Sequence, residues 1–409
     1  MARSILMLGG SHQQVVAIEA AKRLGYRTVL CDYLPDNPGQ FVADVFYQES
    51  TTDKDAMLKI ATEEKVEGVL AYASDPASPI AAYVAEQLGL PTNPLWAVET
   101  MSQKHLFRAH LQEQGLPCPR AVAFSTQDDP AQIWKQLQEL TQPIMVKPTD
   151  SSGSKGVSIV KTEGEFIRAV EIACGISRNG TLIAEEYIEK EYPHVVGGDI
   201  FVVEGKIRFW GLMDCVRDAS ADLIPTGKMA PAGLSEEQVS AIKETLQALV
   251  DSLEISFGEL NVEVILGKGN TPYVLELGSR AGGNMIPVQL SDMSGIDLVS
   301  TNVLCAMGEK PERIDFDRMQ GAYATHVLHS LESGAFTGID IDENLLPQVY
   351  RTVLYAREGD RIEPFDGANK AVGIVFMKYD SPRQMRGIMP GIKKHIHVRL
   401  DGMELKENR

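Results

Sequence analysis

Two glutamates interrupt apolar stretches between residues 257 and 278, at a spacing that can bind a divalent cation. The segment is typical of two strands, and pairing Gly267 with Pro272 across a turn places Glu263 directly opposite Glu276 on one face. Directly opposed carboxylates repel each other unless a positive charge neutralises them. Mg²⁺ binds one or two carboxylates together with phosphate oxygens. The spacing therefore predicts a magnesium site that also takes a phosphate, with two exposed edge-strand glutamates as the alternative.

A loop rich in serine and glycine follows Lys147, which ends a predicted strand. The loop reads Ser151-Ser152-Gly153-Ser154-Lys155-Gly156, and such glycines let backbone N–H groups approach an anion closely. The pattern GxxxxGK[ST] is absent, so this is not a Walker A loop. Taken alone, the loop is equally typical of a flexible hairpin. Lys104, taken alone, is typical of a solvated lysine on a helix predicted around residues 100–114.

These residues need elements to position them, and the first hundred residues alternate apolar runs with amphipathic stretches. Such alternation predicts a doubly wound parallel α/β unit. The predicted strands and helices alternate as residues 5–8, 15–24, 28–32, 55–64, 69–73 and 80–88. Later residues alternate in an α+β manner, with a helix at 163–174, a hairpin of 199–203 with 206–213, and a helix at 235–253.

Composition and charge exclude several classes of protein. The 39 Lys and Arg against 56 Asp and Glu give a net charge of -17, which repels phosphodiester backbones and anionic membranes. We therefore expect neither a nucleic-acid nor a membrane partner. Five cysteines without a CxxC pair predict reduced thiols. The N-terminal apolar run is too short for a signal peptide or a membrane span, so a cytoplasmic location is expected.

Together the motifs resemble the ATP-grasp superfamily, and within it the L-amino acid ligase-like branch of carboxylate-amine ligases. The resemblance runs from the N-terminus to about Gly308 and is looser beyond it. It implies an α/β and α+β protein with the ATP-grasp fold. The expected parts are an N-terminal doubly wound parallel domain at residues 1–94, a two-lobed ATP-binding core at 95–310, and a smaller C-terminal α+β domain at 311–409.

The resemblance also implies roles for residues at matching positions of the motifs. Lys104 and Lys147 match phosphate-binding lysines, and Arg280 matches the arginine that stabilises an acyl phosphate, so Lys147 and Arg280 are the expected catalytic pair. Glu263 and Glu276 match the ligands of Mg²⁺, with Mn²⁺ as a substitute. The remaining ATP contacts expected are Ser151, Ser154 and Gly156 in the loop, Glu185, Glu186, Tyr187 and Ile188 at the adenine hinge, and Glu191 at the ribose, where Asp199 is the competing acid.

The sequence departs from the family pattern at Gly278, where many members carry a metal-binding asparagine. Asn261, Asn284 or water is expected to fill that coordination position. The loop at residues 214–233 occupies a place that often lines the acceptor pocket. Arg217 and Lys228 in this loop, and Asp75 after the third strand, are therefore candidate substrate ligands. Ordinary surface charges and a helix cap are the alternatives.

The implied reaction is ATP-dependent joining of a carboxylate to an amine through an acyl phosphate, which releases ADP and phosphate. Both substrates are expected to be small molecules, with amino acids and uronic-type sugar acids as candidate acids. A neighbouring alternative is activation of formate or bicarbonate, as in purine-pathway and carbamoyl-forming relatives. A third alternative is a non-catalytic nucleotide-binding module. Many members are homodimers, so a homodimer is one expected assembly.

Overall fold

The computed structural model describes residues 2–217 and 224–401. Its contacts divide the chain into a first unit, Met1–Gly211 with Leu234–Arg318, and a second unit, Leu212–Gly233 with Met319–Arg409. The two domain boundaries predicted after residues 94 and 310 stay predictions. None of the helices in the described part of the chain is long and apolar enough to span a membrane.

The first unit begins with a parallel four-stranded sheet, as the alternating pattern predicts. Its strands, in the spatial order β3-β2-β1-β4, are β1 (Ser4–Leu8), β2 (Arg27–Asp32), β3 (Val45–Gln48) and β4 (Gly68–Leu70). The connecting helices are α1 (His12–Arg23), α2 (Lys54–Glu63) and α3 (Ser78–Leu88). Apolar residues cover both faces of the sheet: Ile18 and Val303 lie in one cluster, Met57 and Val84 in the other. The sequence pattern had not indicated β3.

The helix predicted at residues 100–114 ends where expected, but its start is wrong, because the structure has two helices there. Helix α4 (Leu95–Ser102) ends and α5 (Lys104–Glu113) begins on either side of Gln103, whose backbone is extended at φ -122° and ψ 110°. The N–H of Lys104 donates to the carbonyl of Thr149 at 2.9 Å instead of continuing a helical ladder. Lys104 is therefore the first residue of a helix and is tied by its backbone to the loop after Lys147.

A second, antiparallel sheet of the first unit carries Lys147. Its strands are β5 (Ala121–Ser125), β6 (Ile144–Pro148), β7 (Ser158–Val160) and β8 (Thr181–Glu186), in the order β5-β8-β6-β7. Helices α6 (Pro130–Gln136) and α7 (Glu163–Cys174) pack on it through Phe166, which has no exposed surface. The predicted helix at residues 163–174 is confirmed. It begins at a capping box in which Thr162 and Glu165 bind each other's backbone N–H groups.

The remaining strands of the first unit carry the two glutamates. They are β9 (Val195–Val203), β10 (Lys206–Arg217), whose residues after Gly211 belong to the second unit, β12 (Phe257–Leu266) and β13 (Pro272–Gly278). The hairpin turn between β9 and β10 is Glu204-Gly205, as predicted, with positive φ at both residues. The last helices of this unit are α8 (Glu236–Ser252), which confirms the helix predicted at residues 235–253, α9 (Ile286–Ser294) and α10 (Leu298–Ala306).

The second unit is a smaller α+β body with its own core. The end of β10 pairs with β11 (Pro225–Ala230), which continues through β14 (Tyr323–Leu328) and β18 (Gly373–Lys378) to β16 (Val349–Leu354). Its other elements are β15 (Gly334–Ile341), β17 (Arg361–Ile362), α11 (Pro382–Ile388) and β19 (Ile396–Leu400), the three strands forming a separate sheet in the order β17-β15-β19. Residues such as Met377, Met385 and Phe336 form its apolar cluster.

Candidate active site

One cavity of the first unit brings together side chains that are far apart in the sequence. It has a volume of about 360 Å³, and the predicted site residues on its wall are Asp75, Lys104, Ser151, Asn261, Glu276 and Arg280. Gly278 also lies on the wall. The predicted residues outside its lining are Lys147, Ser154, Gly156, Glu185, Glu186, Tyr187, Ile188, Glu191, Glu263 and Asn284. The cavity thus unites a lysine, a carboxylate, an amide and an arginine.

Glu263 and Glu276 lie opposite each other, as predicted, but not through the predicted turn. Leu266, rather than Gly267, pairs with Pro272. The register then shifts between Glu263 and Val264, so that Leu275 forms a β-bulge in strand β13. The extra residue restores the pairing of Glu263 with Glu276 and of Asn261 with Gly278. Of the two glutamates, only Glu276 lines the cavity.

Lys104 neutralises Glu276 at the cavity wall. The Lys104 Nζ lies 2.7 Å from Glu276 Oε1 and donates to the carbonyl of Ser151 at 2.6 Å. Burial raises the pKa of the Glu276 carboxyl, but the Lys104 ammonium, together with the charges of Lys147 and Arg280, leaves the pKa below its ordinary value. The side chain of Glu276 keeps 38% of its surface exposed, so the pair can exchange partners with solvent or ligand.

A second lysine-glutamate pair is buried behind the first. Lys147 Nζ and Arg108 Nε both contact the Glu185 carboxylate, the arginine at 3.0 Å, and the Glu185 side chain is only 3% exposed. Burial raises the pKa of Glu185, but Arg108 and Lys147 lower it to about 2. Burial also lowers the pKa of the Lys147 ammonium despite its contact with Glu185. Glu185 is therefore ionised and held by two cations.

Arg108 is the residue of this cluster that the sequence interpretation missed. Its Nη2 donates to the carbonyl of Leu275 at 3.0 Å, so it satisfies the carbonyl of the bulge residue next to Glu276. A signal was present, because Arg108 lies four residues after Lys104 and shares its helix face. An arginine in an amphipathic helix is, however, usually exposed to solvent, and the sequence therefore offers no reason to place Arg108 in the interior.

The backbone of the predicted adenine hinge is partly committed to other contacts. The N–H of Glu186 donates to the carbonyl of Arg120 at 2.9 Å, and that of Tyr187 donates to Pro143 at 3.1 Å. Between described residues, no backbone hydrogen bond uses the N–H of Ile188. Of the two hinge positions expected to pair with adenine, Ile188 therefore has the available donor.

The serine and glycine loop has the backbone geometry of a tight turn. Gly153, Ser154 and Gly156 have φ values of 66°, 61° and 72°, in the left-handed region that favours glycine. The Ser151 hydroxyl donates to the carbonyl of Lys155 at 3.0 Å. The first two residues of the loop, Ser151 and Ser152, line the cavity, and Lys104 contacts the Ser151 carbonyl.

Arg280 is held at the cavity wall by Asp75. The Asp75 Oδ1 lies 2.7 Å from Arg280 Nε and 2.6 Å from Nη2, while Nη1 donates to the carbonyl of Ala281 at 3.0 Å. Burial by itself lowers the pKa of the Arg280 guanidinium, but Asp75 raises it above the ordinary value. Asp75 lines the cavity, as its proposed role as a substrate ligand requires, yet its Oδ1 is already bound.

The asparagines predicted to replace the missing metal ligand differ in orientation. The Asn261 Nδ2 donates to Gly198 O at 2.9 Å and to Asp199 Oδ1 at 2.8 Å, so its amide is fixed, and no contact between described residues uses its Oδ1. The Oδ1 of Asn284 is buried without a hydrogen-bond partner among the described residues, away from the cavity lining. Asn261 is the better placed of the two.

The donor set fits Mg²⁺, which takes hard oxygen ligands and usually keeps positions for water and phosphate. Glu276 and Asn261 supply a carboxylate and an amide oxygen at the cavity, with Glu263 opposite Glu276. Within residues 2–217 and 224–401 there is no group of three His, Cys, Asp or Glu that could hold a metal by itself. The protein ligands would therefore share the cation with phosphate oxygens of the substrate.

The two acids considered for ribose binding lie in different surroundings. Asp199 is 1% exposed and accepts hydrogen bonds from the Gly282 N–H at 3.0 Å and from Asn261. Glu191 is exposed, and its Oε2 accepts from the Asn270 N–H at 3.1 Å. Burial of Asp199 leaves Glu191 as the accessible acid of the two.

Arg217 and Lys228, predicted as substrate ligands, lie in the second unit. Lys228 is 5% exposed, and its Nζ lies 2.7 Å from Cys215 Sγ on the paired strand. Arg217 ends strand β10. Residues 218–223 of the loop between them, including Asp222, lie outside the described residues. Substrate binding by Arg217 and Lys228 stays a prediction.

Comparison with known proteins places this geometry in a family. The family described as the ATP-binding domain of the carbamoyl-phosphate synthase L chain matches residues 103–314, more than half of the chain. The chain belongs to this family. The match covers Lys104, Glu276 and Arg280, and the predicted membership of the ATP-grasp superfamily is confirmed.

Similar proteins extend the family match to the fold. The chain is 26% identical over 282 residues to the carbamoyl phosphate synthase large chain of Thermotoga sp. (strain RQ2), covering 66% of this chain but only 24% of that relative. The L-amino acid ligase from Bacillus licheniformis superimposes with a TM-score of 0.81 at 22% identity over 97% of this chain and 98% of its own.

A third similar structure is the biotin carboxylase domain dimer of the Hydrogenobacter thermophilus 2-oxoglutarate carboxylase, in complex with MgADP, ADP and bicarbonate. Its TM-score is 0.74 at 16% identity, over 98% of this chain and 91% of that one. These likenesses show that the chain has the ATP-grasp fold, as predicted.

Proposed function

We propose that the protein binds MgATP and joins a carboxylate to an amine through an acyl phosphate, releasing ADP and phosphate. One observation carries the proposal: Lys104, Asn261, Glu276 and Arg280 line a single cavity of about 360 Å³. A lysine for phosphate, oxygen ligands for a cation and an arginine for a developing anion are the groups that phosphoryl transfer to a carboxylate requires.

The cation side of the site is assigned to Glu276, Glu263 and Asn261. When bound there, Mg²⁺ neutralises phosphate charge and orients the transferred group. Glu276 is paired with Lys104 in the free protein, so neither charge is left uncompensated before ligand arrives. With MgATP bound, Glu276 would hold the cation and Lys104 would hold a phosphate oxygen, so each charge would still have a partner.

The nucleotide side is assigned to Lys147 and the hinge. Glu185, which Arg108 holds in place, contacts the Lys147 ammonium, so that the ammonium is already oriented when phosphate binds. The N–H of Ile188 is the donor for adenine, and Glu191 is the acid for the ribose. Ser151, Ser154 and Gly156 are assigned to the loop around the terminal phosphate.

The reaction needs no nucleophilic side chain. A substrate carboxylate oxygen attacks the γ-phosphorus, and the bond from that phosphorus to the ADP oxygen breaks. The amine nitrogen then attacks the acyl carbon, the bond to phosphate breaks, and the nitrogen loses a proton. Arg280 has five N–H donors and commits three to Asp75 and Ala281, which leaves two for the oxygens of the acyl phosphate.

The test is Mg²⁺-dependent release of ADP and phosphate across a matrix of carboxylic acids and amines. Release that needs one acid and one amine together, and is lost in Glu276→Ala, is the expected result. Glu171→Ala, which changes an exposed glutamate on α7, is the matched control and should retain full activity. Tight MgATP binding with no release for any pair would contradict the ligase and favour the nucleotide-binding module.

A second candidate is activation of a one-carbon acid, formate or bicarbonate. The comparison proteins support it, because one relative is a carbamoyl phosphate synthase and one similar structure holds bicarbonate. Formate and bicarbonate therefore belong in the acid matrix, with and without amines. Release of ADP with bicarbonate alone would favour this candidate over the amide-forming ligase.

A further inference from the structure

We infer that Asp75 is a positioning residue that sets the orientation of Arg280, next to Gly278. This inference deepens the proposed function and rests on it for the part that concerns turnover. The prediction from sequence made Asp75 a substrate ligand; the geometry points instead to an action through the arginine.

Two short contacts join Asp75 and Arg280. A single carboxylate oxygen, Oδ1, takes both the Nε and Nη2 donors of Arg280, at 2.7 and 2.6 Å. The Arg280 side chain is 11% exposed, and that of Asp75 is 35% exposed. A nearly buried guanidinium needs a partner, since an uncompensated buried charge is strongly unfavourable. Asp75 therefore determines which edge of the guanidinium remains for a ligand.

The segment that carries Asp75 is itself fastened to the Arg280 segment. The hydroxyl of Ser78, at the start of α3, donates to the carbonyl of Ser279 at 2.8 Å. The N–H of Arg280 donates to the carbonyl of Gly278 at 2.8 Å, which bends the chain as β13 ends. The Ser78–Ser279 hydrogen bond and the Asp75–Arg280 ion pair thus hold residues 75–78 against residues 279–280.

Position 278 adjoins this ion pair and accepts only a small side chain. A Cβ at that position would lie 3.4 Å from Asp75 Oδ1 and 3.5 Å from Arg280 Cζ and Nε, which is ordinary van der Waals contact. An alanine there would touch the pair without displacing it, whereas the longer side chain of leucine would occupy its volume. The small residue at position 278, where the family pattern has asparagine, is therefore compatible with the ion pair between Asp75 and Arg280.

The experiment is a double-mutant cycle on turnover. Asp75→Ala is expected to lower kcat by about 100-fold, because a small misplacement of a catalytic group has effects of that order. The KM for ATP should change by less than about 2-fold, since Asp75 touches no residue assigned to the nucleotide. In the Arg280→Ala background, Asp75→Ala should change kcat by less than about 2-fold. Losses that multiply would overturn the inference and show that Asp75 acts on the substrate directly.

A second readout does not need turnover. In protein labelled with ¹⁵N-arginine, the Arg280 Nε–H resonance, assigned by its loss in Arg280→Ala, should be sharp and slowly exchanging. It should disappear or shift in Asp75→Ala and in Gly278→Leu, and persist in Gly278→Ala. An unchanged resonance in Asp75→Ala would refute the positioning role. Because silence of the native enzyme in the acid and amine matrix counts only against the proposed function, the two failures are distinguishable.

Discussion

The first unit contains two lysine-glutamate ion pairs, one at the wall of the cavity and one in the interior. Lys104 and Glu276 meet at a cavity wall, with 38% of the glutamate exposed and, among the described residues, a single ion-pair partner for each. Lys147 and Glu185 meet in the interior, where Arg108 completes the set and 3% of the glutamate is exposed. An exposed pair is weak and exchangeable, while a buried one is costly to separate. We interpret the outer pair as the one that opens for ligand, and the inner one as a pair that stays closed and keeps the Lys147 ammonium in position for phosphate.

The largest expected effect is on activity at the outer pair. Glu276→Gln should lower kcat/KM by more than about 100-fold, because it removes a charged ligand of the cation and leaves Lys104 without its partner. Steady-state ADP release at varied Mg²⁺ measures this. Activity within a few fold of the native chain would break the assignment of Glu276 to the metal.

The inner pair should carry stability. Glu185→Gln leaves Lys147 and Arg108 buried without a carboxylate, and it should reduce the free energy of unfolding by about 3 kcal/mol at neutral pH. Urea unfolding followed by circular dichroism measures it. A loss no larger than that of Glu276→Gln would remove the distinction between the two pairs.

The pH dependence of the same variant sharpens the comparison. The pKa of Glu185 is about 2 in the folded protein, below the ordinary value of about 4.3. Its contribution to stability is therefore present above pH 4.3 and is lost as the pH falls towards 2. The stability difference between the native chain and Glu185→Gln should shrink over that range. A difference that stays constant from pH 6 to pH 3 would contradict the low pKa.

A smaller effect is expected for Arg108→Lys. A lysine can keep the contact with Glu185 but cannot also reach the Leu275 carbonyl, because it lacks the planar fork of arginine. The expected loss is about 1 to 2 kcal/mol of unfolding free energy, the cost of one unsatisfied buried carbonyl. Arg120→Lys, at an exposed arginine near Glu186, is the control and should change stability little.

The smallest effect is the stability change of Glu276→Gln. The free energy of unfolding should fall by less than about 1 kcal/mol, since the pair is partly exposed. The same urea experiment measures it. A loss near that of Glu185→Gln would mean that the outer pair is structural as well.

Much of this arrangement could be predicted from the sequence, because period and turn chemistry are local. Alternating apolar runs indicated the parallel sheet, and the spacing of Glu263 and Glu276 indicated their pairing. Their pairing was right although the turn was wrong, since a bulge at Leu275 compensates for a shift of one residue. Periodicity cannot reveal a bulge, because the extra residue is stabilised by contacts with side chains that are distant in the sequence.

The features that the sequence could not indicate depend on contacts between segments that are far apart in the chain. The break at Gln103 follows from a hydrogen bond between Lys104 and Thr149, and the burial of Arg108 follows from a carboxylate 77 residues away. Asp75 and Arg280, 205 residues apart, meet for the same reason. Charged residues in amphipathic helices and loops give no local signal of such partners.

The bulge at Leu275 has a consequence for how this hairpin tolerates change. The bulge divides strand β13 into two halves. The turn at residues 267–271 sets the alignment of the first half. Arg108 and the neighbouring strand align the second half, which carries Glu276 and Gly278. The turn can therefore be lengthened or replaced without rotating the ligand-bearing half out of the cavity. Residues 267–269 are therefore a natural insertion point for a reporter or an affinity tag, provided that the Asn270 N–H keeps its hydrogen bond to Glu191, the acid assigned to the ribose.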